Sequence, residues 1–213
     1  MEFLRYGEDA VRICFGDSID AEVHEKVRRF FYYVKSLGLK GIIEIIPSFR
    51  SCLIQFDTES LSFDYLASLL AEREGEMNGA SVPDPVRHEI AVRYGGNYGP
   101  DMEFICEYSG LTEADVIETH SSAVYTVFAV GFMPGFPYMG ILDKKLFMPR
   151  LDTPRLKVPE GSVGIAQLQT GIYPFESPAG WRILGRTDAP LFDYRRAPYS
   201  QLMIGDIVRF VRI

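Results

Sequence analysis

Only three of the 213 residues are cysteine, one is tryptophan and three are histidine. Cys14, Cys52 and Cys106 are odd in number, widely scattered and set in apolar stretches, so they read as buried free thiols rather than a disulfide frame or metal cluster. The histidines, His24, His88 and His120, have no Cys or carboxylate at ligand spacing, and no metal site is expected. Basic residues are outnumbered, 22 Lys and Arg against 29 Asp and Glu, and a net charge of −7 argues against a nucleic-acid groove. The longest apolar run, Ala123 to Met133, is far shorter than the ~20 residues of a membrane helix. The opening Met1-Glu2-Phe3-Leu4-Arg5 shows no apolar signal segment, so a cytoplasmic chain is expected. A phosphate loop, a Gly-x-Gly-x-x-Gly turn and a Gly-x-Ser-x-Gly elbow are all missing, which removes the commonest nucleotide-binding and hydrolase signatures.

Two segments stand out instead. Gly131-Phe-Met-Pro-Gly-Phe-Pro-Tyr-Met-Gly140 and Gln169-Thr-Gly-Ile-Tyr-Pro-Phe-Glu-Ser-Pro-Ala-Gly-Trp181 are rich in Gly, Pro and aromatics and poor in charge. Ordinary loops are polar; these predict a rigid, irregular pocket wall.

The chain reads as α+β, in two domains. In residues 1–84 strands at Phe3–Tyr6 and Ala10–Phe15 precede a helix capped by Asp20 and stopped by Gly38. Strands at Ile42–Ile46 and Cys52–Phe56 and a helix opened by Ser62 complete a β-β-α-β-β-α order, a two-layer sandwich with both helices on one face. The Gly- and Pro-rich stretch from Gly75 to Pro85 is the expected boundary. Residues 85–213 carry two short helices, the second capped by Thr112 with Asp115 at its third position, among many short β-branched segments. That pattern predicts a β-barrel.

Candidate chemistry gathers around the two loops. His120 ends the Thr112-capped helix and could act as a general base, bind an anion or merely cap carbonyls. Gln169, Thr170, Tyr173, Glu176 and Ser177, with Trp181 beside them, offer donors, acceptors, a carboxylate and a stacking face; Phe136 is the aromatic of the first loop. Arg150 and Arg155 are natural partners for a substrate carboxylate or phosphate, whereas Lys157 reads as a surface charge and His24 as a solvated one. No catalytic set is complete, so either the site is unusual or another polypeptide completes it.

The chain resembles the KipI / allophanate hydrolase subunit 1 family. The resemblance is carried by Tyr94-Gly-Gly-x-x-Gly-Pro-Asp101, the Gly131–Gly140 loop, Thr153-Pro-Arg155, Val158-Pro-x-Gly-Ser-Val-Gly-Ile-Ala166, Gln169-Thr-Gly-Ile-Tyr-Pro174, Glu176-Ser-Pro178, Gly185-Arg-Thr187 and Gly205-Asp-x-Val-Arg-Phe210. Where the family usually has two glycines, this chain has Gln167-Leu168. The resemblance implies a cyclophilin-like barrel in the second half and a small α/β sandwich in the first. It also implies a subunit of a complex that hydrolyses 5-oxo-L-proline to L-glutamate at the expense of ATP, inactive alone, with a C-type (KipA-like) subunit and a lactam-opening subunit as partners. On that reading His120 and Glu176 are catalytic, while Phe136, Arg150, Arg155, Gln169, Thr170, Tyr173 and Ser177 hold substrate, and the ATP site is shared with a partner. Two other roles occur in such families: inhibition of a sporulation-type histidine kinase, and a carboxyltransferase half-site of a urea carboxylase system.

Overall fold

The computed structural model describes residues 1–213. The chain divides into two compact units, Met1–Asp84 and Pro85–Ile213.

In the first unit, strands β1 (Glu2–Arg5), β2 (Ala10–Cys14), β3 (Ile42–Pro47) and β4 (Ser51–Phe56) form an antiparallel sheet in the order β1-β2-β4-β3. Val11 pairs with Ile54 and Ile13 with Cys52, so period-two alternation puts these side chains on one face. Helix α1 (Ala21–Leu37) covers them with Phe30, Tyr33 and Val34, and helix α2 (Phe63–Glu72) with Leu66 and Leu70. Asp20 Oδ1 accepts from the Val23 N–H at 2.8 Å to start α1, and Gly38, at φ +56°, ends it.

Two local expectations change. His24 is buried on the inner side of α1, one residue from Val23, rather than solvated. Glu74–Gly79 forms a 3-10 helix tied into the unit, where Glu76 accepts from the Tyr33 hydroxyl at 2.7 Å. Ordered structure therefore continues past Gly75.

The second unit is a closed barrel of seven strands in the order β10-β7-β6-β13-β5-β12-β9. Its members are β5 (Arg87–Tyr94), β6 (Val124–Val130), β7 (Pro137–Gly140), β9 (Ser162–Ala166), β10 (Gln169–Ile172), β12 (Arg182–Arg186) and β13 (Ile207–Arg212). A two-stranded ribbon, β8 (Arg155–Val158) with β11 (Ser177–Ala179), stands beside it. Helices α3 (Met102–Ser109) and α4 (Glu113–Ser122) are inserted between β5 and β6, and Thr112 with Asp115 forms the expected capping box. The barrel is filled by Val92, Val127, Met139, Val163, Ile165, Leu184, Val208 and Phe210. Both distinctive segments are partly strand, because β7 takes the end of the first and β10 the start of the second, hydrogen-bonded side by side.

Of the thiols, Cys52 is buried, and burial pushes its ionisation well upward; Cys14 and Cys106 are only half-buried, and all three are free. No helix is long and apolar enough to cross a membrane.

Candidate functional site

A cleft of about 170 Å³ opens on the outer face of the barrel where the two distinctive segments meet. It begins with two glycines. Gly164 of β9 and Gly171 of β10 are cross-strand partners. A Cβ on Gly171 would lie 2.8 Å from Phe136 Cζ and 2.9 Å from the Pro137 carbonyl oxygen; one on Gly164 would lie 3.3 Å from Trp181 Cβ. Only bare backbone lets the rings approach so closely.

On this floor four aromatic rings pack edge to face. Phe136 is 4.8 Å from Tyr138, 5.0 Å from Tyr173 and 5.5 Å from Trp181, ring centre to ring centre, and Tyr138 is 5.8 Å from Trp181. Such tilted pairs fix one another through their quadrupoles as well as by area. Phe132 extends the wall, exposed and held at φ +70°, a left-handed conformation that bulky residues avoid. The Arg150 guanidinium supplies the cleft's one positive charge. Burial raises the pKa values of Tyr138 and Tyr173, opposed in each by Arg150, so both phenols stay neutral donors. The result is an apolar slot with a cation and two hydroxyls, suited to a small flat molecule bearing a carboxylate.

From the residues singled out in the sequence the cleft takes Phe136, Arg150, Tyr173 and Trp181, and the others go elsewhere. Gln169 is half-buried in β10, paired with Gly140 and Ala166. Glu176 is exposed and lies 2.8 Å from Lys157 Nζ, an ion pair on the β8–β11 ribbon. The Ser177 hydroxyl is buried and makes no hydrogen bond. Thr170 points into the barrel, because alternation along β10 sends it opposite to Gly171.

Arg155 turns from the cleft toward Asp101, its Nη2 donating to Oδ1 at 2.6 Å. Asp101 is almost wholly buried and also accepts from the Ile183 N–H at 2.6 Å, while Arg182 Nη1 lies 3.6 Å away. The Arg182 guanidinium stacks 3.5 Å over the Phe104 ring centre. One buried carboxylate thus joins the start of α3, strand β8 and strand β12. That is the physical content of the motif ending at Asp101.

His120 does not line the cleft. α4 packs across β13 with Val116, Ile117 and His120 inward, and the imidazole is fully enclosed, stacked 4.6 Å from Phe210. Its Nε2 is 2.9 Å from Thr170 Oγ1, its Nδ1 is 2.8 Å from the Tyr94 hydroxyl, and Thr170 Oγ1 donates to the Gly164 carbonyl at 3.1 Å. Since the threonine proton is committed to Gly164, Nε2–H donates to Thr170 and Nδ1 accepts from Tyr94. Burial lowers the His120 pKa to about 3, so the ring is neutral. It caps no helix carbonyl with its side chain.

Tyr138, Leu151 and Pro154, which also line the cleft, were not picked out as candidates. The Pro-Tyr pair in the first segment was the available signal for Tyr138. No group of three or more His, Cys, Asp or Glu is placed to hold a metal ion. The cleft is also smaller than the roughly 300 Å³ at which sites for larger organic ligands begin. With a single arginine it does not fit a nucleoside triphosphate.

Comparison with known proteins places this geometry in a family. The chain is 37% identical to the B subunit of the 5-oxoprolinase of Bacillus subtilis (strain 168), over 97% of this chain and 90% of that protein. To the protein of the same name from Haemophilus influenzae it is 48% identical, over 88% of this chain and 87% of the other. A urea amidolyase of Saccharomyces cerevisiae is 23% identical over 90% of this chain, which spans 12% of that protein. Among solved structures, TTHA0988 superposes with a TM-score of 0.83 at 29% identity, over 96% of this chain and 40% of its own. The protein PH0987 from Pyrococcus horikoshii matches with a TM-score of 0.59 at 39% identity, over 100% of this chain and 97% of its own. These matches bear out the resemblance carried by the motifs. Residues 1–202 match the model of the carboxyltransferase domain, subdomain C and D, and the chain belongs to that family.

Proposed function

We propose that this chain is the B subunit of a 5-oxoprolinase and that it acts inside a hetero-oligomer. The observation that carries the reading is the near full-length likeness to proteins of that name, at 37% and 48% identity. The cleft supports it chemically. A five-membered lactam acid is flat, small and anionic; Arg150 is placed for its carboxylate and the rings of Phe136, Tyr138, Tyr173 and Trp181 for its apolar faces. The Tyr138 and Tyr173 hydroxyls can hydrogen-bond the lactam amide.

An unstrained lactam is a poor electrophile, and ATP is the expected source of its activation. This chain's share is to bind and orient the lactam and to exclude water from the aromatic slot. Nucleotide binding and lactam opening belong to partner chains of the C-type and lactam-opening kinds, and the chain is inactive alone.

The test is reconstitution: the chain is mixed with the two partner subunits, and ATP-dependent glutamate release from 5-oxoproline is followed. Turnover that disappears when this chain is omitted supports the reading. Full turnover without it, or turnover by this chain alone, overturns it.

A second reading, a carboxyltransferase half-site acting on a urea-type amide, is favoured by the family description and by the urea amidolyase match. Carboxyl transfer from a biotinylated carrier to urea by the same preparation would establish it instead.

A further inference from the structure

The barrel closes between β5 and β12 through only two residue pairs, Tyr94 with Gly185 and Arg93 with Arg186. The rest of that edge of β5 is open. The Ile207 N–H donates to the Val86 carbonyl at 2.9 Å and the Ile213 N–H to the Val92 carbonyl at 3.1 Å, so even-numbered residues of β5 face β13. Alternate residues of a strand bond to opposite neighbours. Gly95 obeys the rule, donating toward β12 at the Leu184 carbonyl, 3.1 Å away. The N–H and C=O groups of Arg87, Glu89 and Ala91 therefore point to the β12 side, beyond where β12 ends.

Why β12 stops short is legible locally. Its register, continued, would bring Pro190 opposite Glu89, and proline has no N–H to give. Thr187 donates on the other side, to the Gly161 carbonyl at 2.9 Å, as the same alternation requires. A cavity of about 290 Å³ opens in the gap, lined among others by Arg87, Glu89, Pro190, Leu191 and Gln201. On the far wall the Gln201 N–H is committed to the Leu191 carbonyl at 2.8 Å and does not reach β5.

We propose that the Arg87–Ala91 edge of β5 receives an extended segment of a partner subunit, which adds a strand to the barrel and sets an acidic side chain opposite Arg87. The occupant follows from the groups on offer. A row of N–H and C=O groups repeating every second residue is matched by another backbone and by little else. The side chains choose its charge: Glu89 lies 3.9 Å from Arg209 of its own chain, whereas the exposed Arg87 has no carboxylate within ion-pair distance. The inference rests on the reading of this chain as one subunit of an assembly.

The test is residue-resolved amide exchange of the full chain, alone and in the reconstituted complex. Alone, the Arg87, Glu89 and Ala91 amides should exchange fast and those of His88, Ile90 and Val92 slowly. In the complex the first three should slow by about tenfold or more. Arg87→Glu, a surface change, should weaken assembly about tenfold through charge repulsion. Glu89→Pro, which removes an N–H facing the gap and none facing β13, should abolish it. An active complex in which the three amides stay fast overturns the edge pairing and leaves the function standing. Protection already present in the free chain and rising with its concentration means self-pairing, and overturns it too. Failure of the wild-type chain to assemble with any partner overturns both readings.

Discussion

His120 donates through Nε2 to Thr170 Oγ1 at 2.9 Å, inside the barrel, one residue along the strand from the glycine on which the outer aromatic cleft is built. The contact belongs to a chain of three hydrogen bonds, Tyr94 to His120 to Thr170 to the Gly164 carbonyl, each group with one role. Both glycines of the cleft floor are thereby held from behind.

The pH dependence of folding should expose this network. Folding lowers the His120 pKa from 6.5 to about 3, so the unfolded chain binds the proton more readily throughout that interval. The neutral ring's contribution is present in full above pH 6.5 and shrinks as pH falls toward 3. Between pH 7 and pH 5 the histidine should account for about 2 kcal/mol of lost stability. Urea unfolding of the wild type and of His120→Gln at both pH values checks this; equal losses in the two proteins would refute it.

Cleft chemistry should follow Arg150. Arg150→Ala should weaken 5-oxoproline binding or turnover of the assembled enzyme by about ten- to a hundredfold, the loss of one charge-assisted hydrogen bond. Lys157→Ala, which removes only the exposed pair with Glu176, should leave the kinetics unchanged. Steady-state kinetics on the two variants decide the matter.

Arg155→Ala should instead act on stability. Its partner Asp101 is buried, and removing the nearer of two arginines leaves that carboxylate under-compensated, a cost of about 3 kcal/mol. Chemical denaturation should show the loss, while substrate affinity of the folded fraction in the assembled enzyme stays close to wild type.

Two backbone substitutions should move in opposite directions. Gln167, where the family usually has glycine, sits at φ +53° between β9 and β10; Gln167→Gly should stabilise by about 1 kcal/mol. Gly171→Ala drives a methyl into Phe136 and the Pro137 carbonyl, and should cost about 1–3 kcal/mol and narrow the cleft. Thermal melts measure both, and substrate titration measures the second.

Limited proteolysis should cut first within Ala80–Val86, which carries no helix or strand and joins the two units. First cleavage inside Glu74–Gly79, where Tyr33 holds Glu76, would contradict the structure.

What the sequence disclosed followed its periodicities. Alternation at Ala10–Phe15, the Asp20 cap and the Thr112–Asp115 capping box yielded the elements that the structure contains. The site was legible only in part, because neighbours along a strand face opposite ways. Thr170 and Gly171 are adjacent in sequence, yet one serves the interior and the other the cleft. His120, polar and at a helix end, looked accessible; its burial depends on Phe210 and Thr170, which arrive from distant strands. Arg155 and Arg150 carry the same guanidinium, and only the buried Asp101, far off in the chain, tells them apart.

Trp181 is the chain's single tryptophan, and it lines the aromatic cleft. Its emission therefore comes from one known place. The tyrosine rings beside it, Tyr138 at 5.8 Å among them, would pass excitation to it, so the intrinsic fluorescence of the unlabelled protein reads out that slot. The molecule carries its own optical probe, and a binding titration at the cleft requires no added dye.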